Sequence, residues 1–134
     1  MSWDRPGLYN PAAVRAFLGW PCYDEEIAVA EDAGYVEAAG RYVPNLLNLL
    51  QQVMEHGDPA ADPAVLGAIS APVAVLLGSD TKPFFTASAR HVADHVPNAR
   101  VHEIRGVGHA APLTNPEALA KALIELFAPA LQRT

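Results

Sequence analysis

The sequence has a single cysteine, Cys22, so no disulfide can form within its 134 residues. A disulfide-stapled scaffold is excluded, and the expected setting is a reducing compartment, the cytoplasm. Basic charge is also scarce: nine Lys and Arg stand against fifteen Asp and Glu, for a net charge of −6, and the basic residues are scattered singly. Without an electropositive stripe, nucleic acid is not an expected partner. Long apolar runs are missing too, since the most apolar stretch, residues 64–78, is short and interrupted by Pro72. No basic segment leads into an apolar one at the start, so neither a signal peptide nor a membrane span is expected. Internal repeats and low-complexity tracts are absent.

What is present suits a folded domain: 51% of residues are hydrophobic and 18% charged, a balance that argues against disorder. The first half reads as helices. Asn10-Pro11 pairs a capping residue with proline at the first helical position, and Val14, Phe17 and Leu18 follow on one face. Asp24, Glu25 and Glu26 open a second, short helix by complementing its dipole, with Gly34 and Gly40 weakening any continuation. From Pro44 to His56, Leu46, Leu47, Leu50, Val53 and Met54 recur at the spacing of a buried stripe. Asp62-Pro63 repeats the cap-plus-proline signal ahead of Val65, Leu66 and Ile69.

After Pro72 the period changes. Val73 to Leu77 is a continuous apolar run closed by Gly78-Ser79-Asp80, the pattern of a strand buried on both faces of a parallel sheet. Phe85, Ala89, Val92, Ala93 and Val96 mark one face of a helix stopped by Pro97-Asn98. Residues 99–104 form a second strand, with Val101 and Ile104 apolar and His102, between Val101 and Glu103, turned outward. Gly106-Val107-Gly108-His109 is a glycine-rich turn, and Asn115-Pro116-Glu117 caps a last helix whose buried side is Leu119, Leu123, Leu126, Phe127, Ala130 and Leu131. Strand, helix, strand, helix at this spacing makes a parallel α/β unit.

From Asp62 to Leu131, the run Ala71-Pro72-Val73-Ala74-Val75-Leu76-Leu77-Gly78-Ser79-Asp80, the turn Gly106-Val107-Gly108-His109 and the helix opened by Asn115-Pro116-Glu117 together resemble the last quarter of the α/β-hydrolase fold. The resemblance implies an α/β chain in two parts, a helical cap-like segment over residues 1–61 and a C-terminal βαβα unit over 62–134. Residues from Trp3 to Gly57 match a cap by position and helicity alone; Trp20, Tyr23, Tyr35 and Tyr42 would line a pocket there or serve as ordinary packing. The resemblance further implies His109 as general base and then general acid, with an acid holding its second ring nitrogen. Asp80 is the candidate acid. It lies two residues after Gly78, where relatives commonly place the acid three residues on, so a plain turn or helix-capping role stands beside the catalytic one. No cofactor is implied.

The departure that matters most is the missing nucleophile. Such a hydrolase presents its nucleophile from a strained strand-to-helix turn, Gly-x-Ser-x-Gly or a Cys or Asp variant, and no such pattern occurs here. Ser2, Ser70, Ser79, Ser88 and Cys22 each fail by position. Two strands would also leave a sheet edge open, so the expected partners are a second hydrolase fragment or a further copy of this chain, and a small-molecule substrate once the nucleophile is supplied. The remaining reading is a non-catalytic module that self-associates and binds a small ligand or a protein. His91 and His95 are four apart on a helix, but they lie off its apolar face with no third ligand in view, and no metal site is expected. His56 is read as a partner of a helix dipole.

Overall fold

A computed structural model describes residues 9–131, apart from the side chains of Ala130 and Leu131. Residues 1–8, which include Ser2 and the Trp3 end of the cap-like segment, lie outside the described ones. The described chain is α/β, mostly helical with two parallel strands, and it divides between Pro59 and Ala60 into two compact units. Among the described residues, no helix is long and apolar enough to cross a membrane.

The first unit is helical. Helix α1 (Pro11–Leu18) starts as its sequence dictates: the Asn10 carboxamide oxygen accepts from the Ala13 N–H at 3.0 Å, and Pro11 takes the first helical position. Helix α2 (Asp24–Asp32) is opened by its three acids, and the Glu26 carboxylate accepts from the Tyr23 N–H at 2.8 Å. Gly34, at φ 76°, breaks the run in the left-handed region that favours glycine, and the short α3 (Tyr35–Ala39) and a tight turn over Gly40–Tyr42 follow. Helix α4 (Val43–His56) then runs to Gly57, again left-handed at φ 77°. Val14, Cys22, Ile27, Ala30, Val36 and Val43 form the core of this unit. Arg15 pairs with Glu31, and the Tyr9 hydroxyl donates to Glu37.

The expected burial of α4 is corrected. Leu47 is 60% and Met54 86% exposed, Leu50 and Val53 are exposed as well, and only Leu46 of the stripe is half-buried. Within its unit, among the described residues, α4 meets chiefly the turn at its own start, so the apolar spacing is real but most of the stripe stays exposed.

The second unit holds the sheet. Helix α5 (Pro63–Gly67) is capped by Asp62, whose carboxylate accepts from the Ala64 N–H at 2.8 Å, and it buries Leu66. Strand β1 (Val73–Gly78), helix α6 (Pro83–His95) and strand β2 (Ala99–Ile104) form a crossover that leaves the strands parallel, Val73 opposite Ala99 and Gly78 opposite Ile104. A single-turn helix α7 (Ala111–Thr114) leads to α8 (Pro116–Leu131), where the Asn115 carboxamide accepts from the Ala118 N–H at 3.1 Å. Ile104, Val107, Ala111 and Ala122 are buried together, with Leu76, Ala118 and Leu119 packed on them, while Ala89 is the buried residue of α6.

Three expectations are corrected here. Strand β1 is not buried on both faces: Val75, Leu76 and Leu77 are half-buried and Ala74 is exposed, and among the described residues β2 is the one strand paired with it. On β2 the faces are reversed, with Val101 exposed and His102 half-buried. Side chains two apart on a strand share a face, and Ile104, packed on the α7–α8 core, takes His102 to that face and turns Val101 away. On α8 it is Ala122 that is buried and Leu119 and Leu126 that are half-buried, whereas Leu123 and Phe127 are exposed.

One backbone approach shapes the end of the sheet. A Cβ built on Gly78 would press into the Val107 carbonyl oxygen and lie 2.9 Å from the Val107 carbonyl carbon and 3.0 Å from the Gly108 oxygen. A side chain at position 78 would have to displace backbone, which cannot rotate aside as a flexible side chain can. Gly78→Ala should therefore destabilise the second unit by about 1–3 kcal/mol. Gly67→Ala, whose new methyl meets the His95 carbonyl at an ordinary 3.8 Å, should not destabilise it. Urea denaturation of both variants checks the pair, and equal midpoints would contradict the close approach.

Candidate functional site

The residues with chemical potential gather where β1 and β2 end. Beyond β2, Gly106 takes φ 74°, Val107 turns into the core at 3% exposure, and Gly108 hands the chain to His109, which is exposed. Beyond β1, Thr81 closes a tight turn on the Gly78 carbonyl, its hydroxyl donating at 3.0 Å, and this leaves Asp80 exposed at the turn.

A set of hydrogen bonds joins the two loops. The Ser79 N–H donates to the Ile104 carbonyl at 2.9 Å and the Asp80 N–H to the Val107 carbonyl at 3.0 Å. The Gly106 N–H donates to the Ser79 hydroxyl oxygen at 2.8 Å, and that hydroxyl donates onward to the Asp80 carboxylate at 2.9 Å. Asp80 and His109 are thus brought to one end of the sheet. Among the described residues no hydrogen bond joins the Asp80 carboxylate to the imidazole, and the carboxylate is engaged by Ser79 instead.

The imidazole has a different neighbour. The His109 ring stacks on Phe85, with centroids 4.0 Å apart and planes 8° from parallel, and Phe84 meets Phe85 edge-on at 5.4 Å and 78°. Behind the pair opens a cavity of about 350 Å³, lined largely by apolar side chains that include Val75, Leu77, Val92 and Leu119. A cavity so lined, with an imidazole at its rim, has the apolar character common to small-molecule sites.

The other candidates are placed elsewhere or otherwise occupied. Ser88 donates to the Phe84 carbonyl within α6 at 3.0 Å, Ser70 is met through its carbonyl by the Asn98 side chain, and Cys22 is buried in the first unit. His91 Nε2 lies 2.7 Å from the Ala61 carbonyl and His95 Nδ1 2.8 Å from the His91 carbonyl, so each ring commits one nitrogen to backbone. Among the described residues no three His, Cys, Asp or Glu side chains gather as metal ligands would. His56 is exposed in the last turn of α4, with Nε2 3.8 Å from the Glu55 carboxylate. Trp20, Tyr23, Tyr35 and Tyr42 are all exposed.

Two participants were not legible as such. Phe85 reads in the sequence as one more apolar residue on a helix face, and Ser79 is set aside there because it cannot be a nucleophile. Position alone offers a cue for Ser79, since a hydroxyl directly after a strand-ending glycine is within reach of the neighbouring strand's exit.

Comparison with known proteins gives one partial likeness. Over 65 residues, 48% of the chain, it is 40% identical to rhodomycin D methylesterase DauP of Streptomyces sp. (strain C5), and the match spans 22% of that protein. No family model matches the chain, and no solved structure gives a significant match.

Ser79→Ala removes the hydroxyl that receives Gly106 and holds Asp80. It should cost about 0.5–1.5 kcal/mol and raise the exchange rate of the Gly106 amide, while Ser79→Thr should retain both. Amide hydrogen exchange by NMR decides this, and an unchanged Gly106 rate in the alanine variant would remove Ser79 from the clamp.

Proposed function

We propose that this chain is the cap-like segment and C-terminal part of an α/β-hydrolase that cleaves a carboxylic ester. In this reading His109 takes the proton of a nucleophile and returns it to the leaving alcohol, and Asp80 orients the imidazole. The observation that carries the proposal is an exposed imidazole in a glycine turn at the carboxyl end of two parallel strands, where sites of open α/β sheets form. The partial likeness to a methylesterase supports an ester as the substrate and makes a methyl ester the first to try.

The chemistry divides between two sources. The 134 residues contain no Gly-x-Ser-x-Gly, so the nucleophile and the donors that stabilise the tetrahedral oxyanion would come from polypeptide outside them. For Asp80 to serve as the acid, its carboxylate must leave the Ser79 hydroxyl and turn toward the imidazole.

The purified chain should resist labelling by a fluorophosphonate probe, and covalent capture of the chain alone would overturn the claim that it lacks a nucleophile. Combined with a polypeptide bearing the nucleophile turn, it should hydrolyse a short nitrophenyl ester, and His109→Ala should lower kcat by about three orders of magnitude. Activity that survives this substitution would remove His109 from its role.

One observation favours a second reading, a module that self-associates without catalysis. Among the described residues β1 pairs with β2 alone, leaving its other edge without a strand, and Ile124 and Phe127 of α8 are exposed. Light scattering distinguishes the two: a stable assembly above the 14.3 kDa chain mass, unaffected by His109→Ala and inert with the added polypeptide, would favour the module.

A further inference from the structure

The backbone of the His109 loop is held by Val107 and by the bonds from Ser79 and Asp80, but none of these restrains the imidazole itself. His109 is exposed, and among the described residues neither of its ring nitrogens has a hydrogen-bond partner. An exposed side chain with two free torsions would normally sample several rotamers. Here its plane lies 8° from that of Phe85, at a centroid distance of 4.0 Å.

We propose that Phe85 is a positioning residue for His109, setting the plane of the imidazole by stacking while the Asp80 carboxylate is engaged by Ser79. The meaning of "positioning" rests on the esterase reading above, whereas the stack can be tested without it. Phe85 is suited to the task. It stands in the first turn of α6, a helix that packs against both strands and buries Ala89, and Phe84 backs its ring edge-on at 78°. The ring is half-buried and shares the lining of the apolar cavity with His109.

Stacking also has a chemical advantage over a hydrogen bond. It occupies a face of the imidazole and leaves both nitrogens, at the ring edge, open to proton partners. Aromatic pairs more often choose offset or edge-to-face arrangements, and the electron-rich face of a phenyl ring attracts a cation. The contact therefore persists when the imidazole takes a proton, the moment at which a general base must keep its orientation.

NMR of the chain tests this through the His109 Hδ2 and Hε1 resonances, identified by their loss in His109→Gln. In the wild type they should be displaced upfield by the Phe85 ring current. Phe85→Leu should return them to random-coil positions, Phe85→Tyr should keep the displacement, and Asp80→Asn should leave it unchanged. Wild-type resonances at random-coil positions would overturn the proposal, as would a displacement lost in Asp80→Asn. If Phe85→Leu fails to fold, the tyrosine and asparagine variants still decide. A persisting displacement beside an ester assay indifferent to His109 would sink the esterase reading and leave the stack standing.

Discussion

Gly78 and the Val107–Gly108 backbone come so close that no side chain fits between them. Strand β1 ends, strand β2 turns away, and the two exits meet backbone to backbone. Because they meet so closely, the Ser79 and Asp80 amides reach the carbonyls of Ile104 and Val107, and the Gly106 amide reaches the Ser79 hydroxyl. Val107 can then drop into the core beside Ile104 and Ala111, and His109 emerges two residues later at the rim. A methyl group at position 78 would separate the exits, and each later contact depends on their separation.

The site built on that approach uses three kinds of force, each for a different degree of freedom. Burial of Val107 sets the depth of the loop, directional hydrogen bonds from Ser79 and Asp80 set its lateral position, and the aromatic face of Phe85 sets the plane of the imidazole. Asp80 thus contributes to the loop through its backbone whatever its carboxylate does. An acid whose main chain is already committed can lend its side chain to a second partner without loosening the loop.

The sequence disclosed most where local rules suffice. Asn10, Asp62 and Asn115, each followed by proline, mark three helix starts, and all three side chains accept the expected amide. The run from Val73 and the strand from Ala99 could be read because a change of hydrophobic period is a local property, and they pair in parallel as the intervening helix requires. What could not be read was which faces find something to pack on. The apolar stripe of α4 and the Leu123–Phe127 side of α8 have the spacing of buried residues and are exposed, because spacing encodes what a face can bury and packing partners decide what it does. The faces of β2 were inverted for a related reason: Ile104 fixes the alternation through contacts with α7 and α8 that are distant in sequence. At the site, His109 stood out because it follows two glycines. Its stacking on Phe85, twenty-four positions earlier, follows from the crossover geometry and leaves no trace in either residue's neighbourhood.

Cys22, the sole thiol of the chain, is 5% exposed and belongs to the helical unit. A thiol-reactive dye added to the folded protein would meet it only when that unit opens, so the labelling rate is a clock for the breathing of the helical unit. The buried sulfur thereby supplies an internal reporter that needs no engineered probe, and it could time the opening of one half of the chain while resonances from the sheet-bearing half are followed separately.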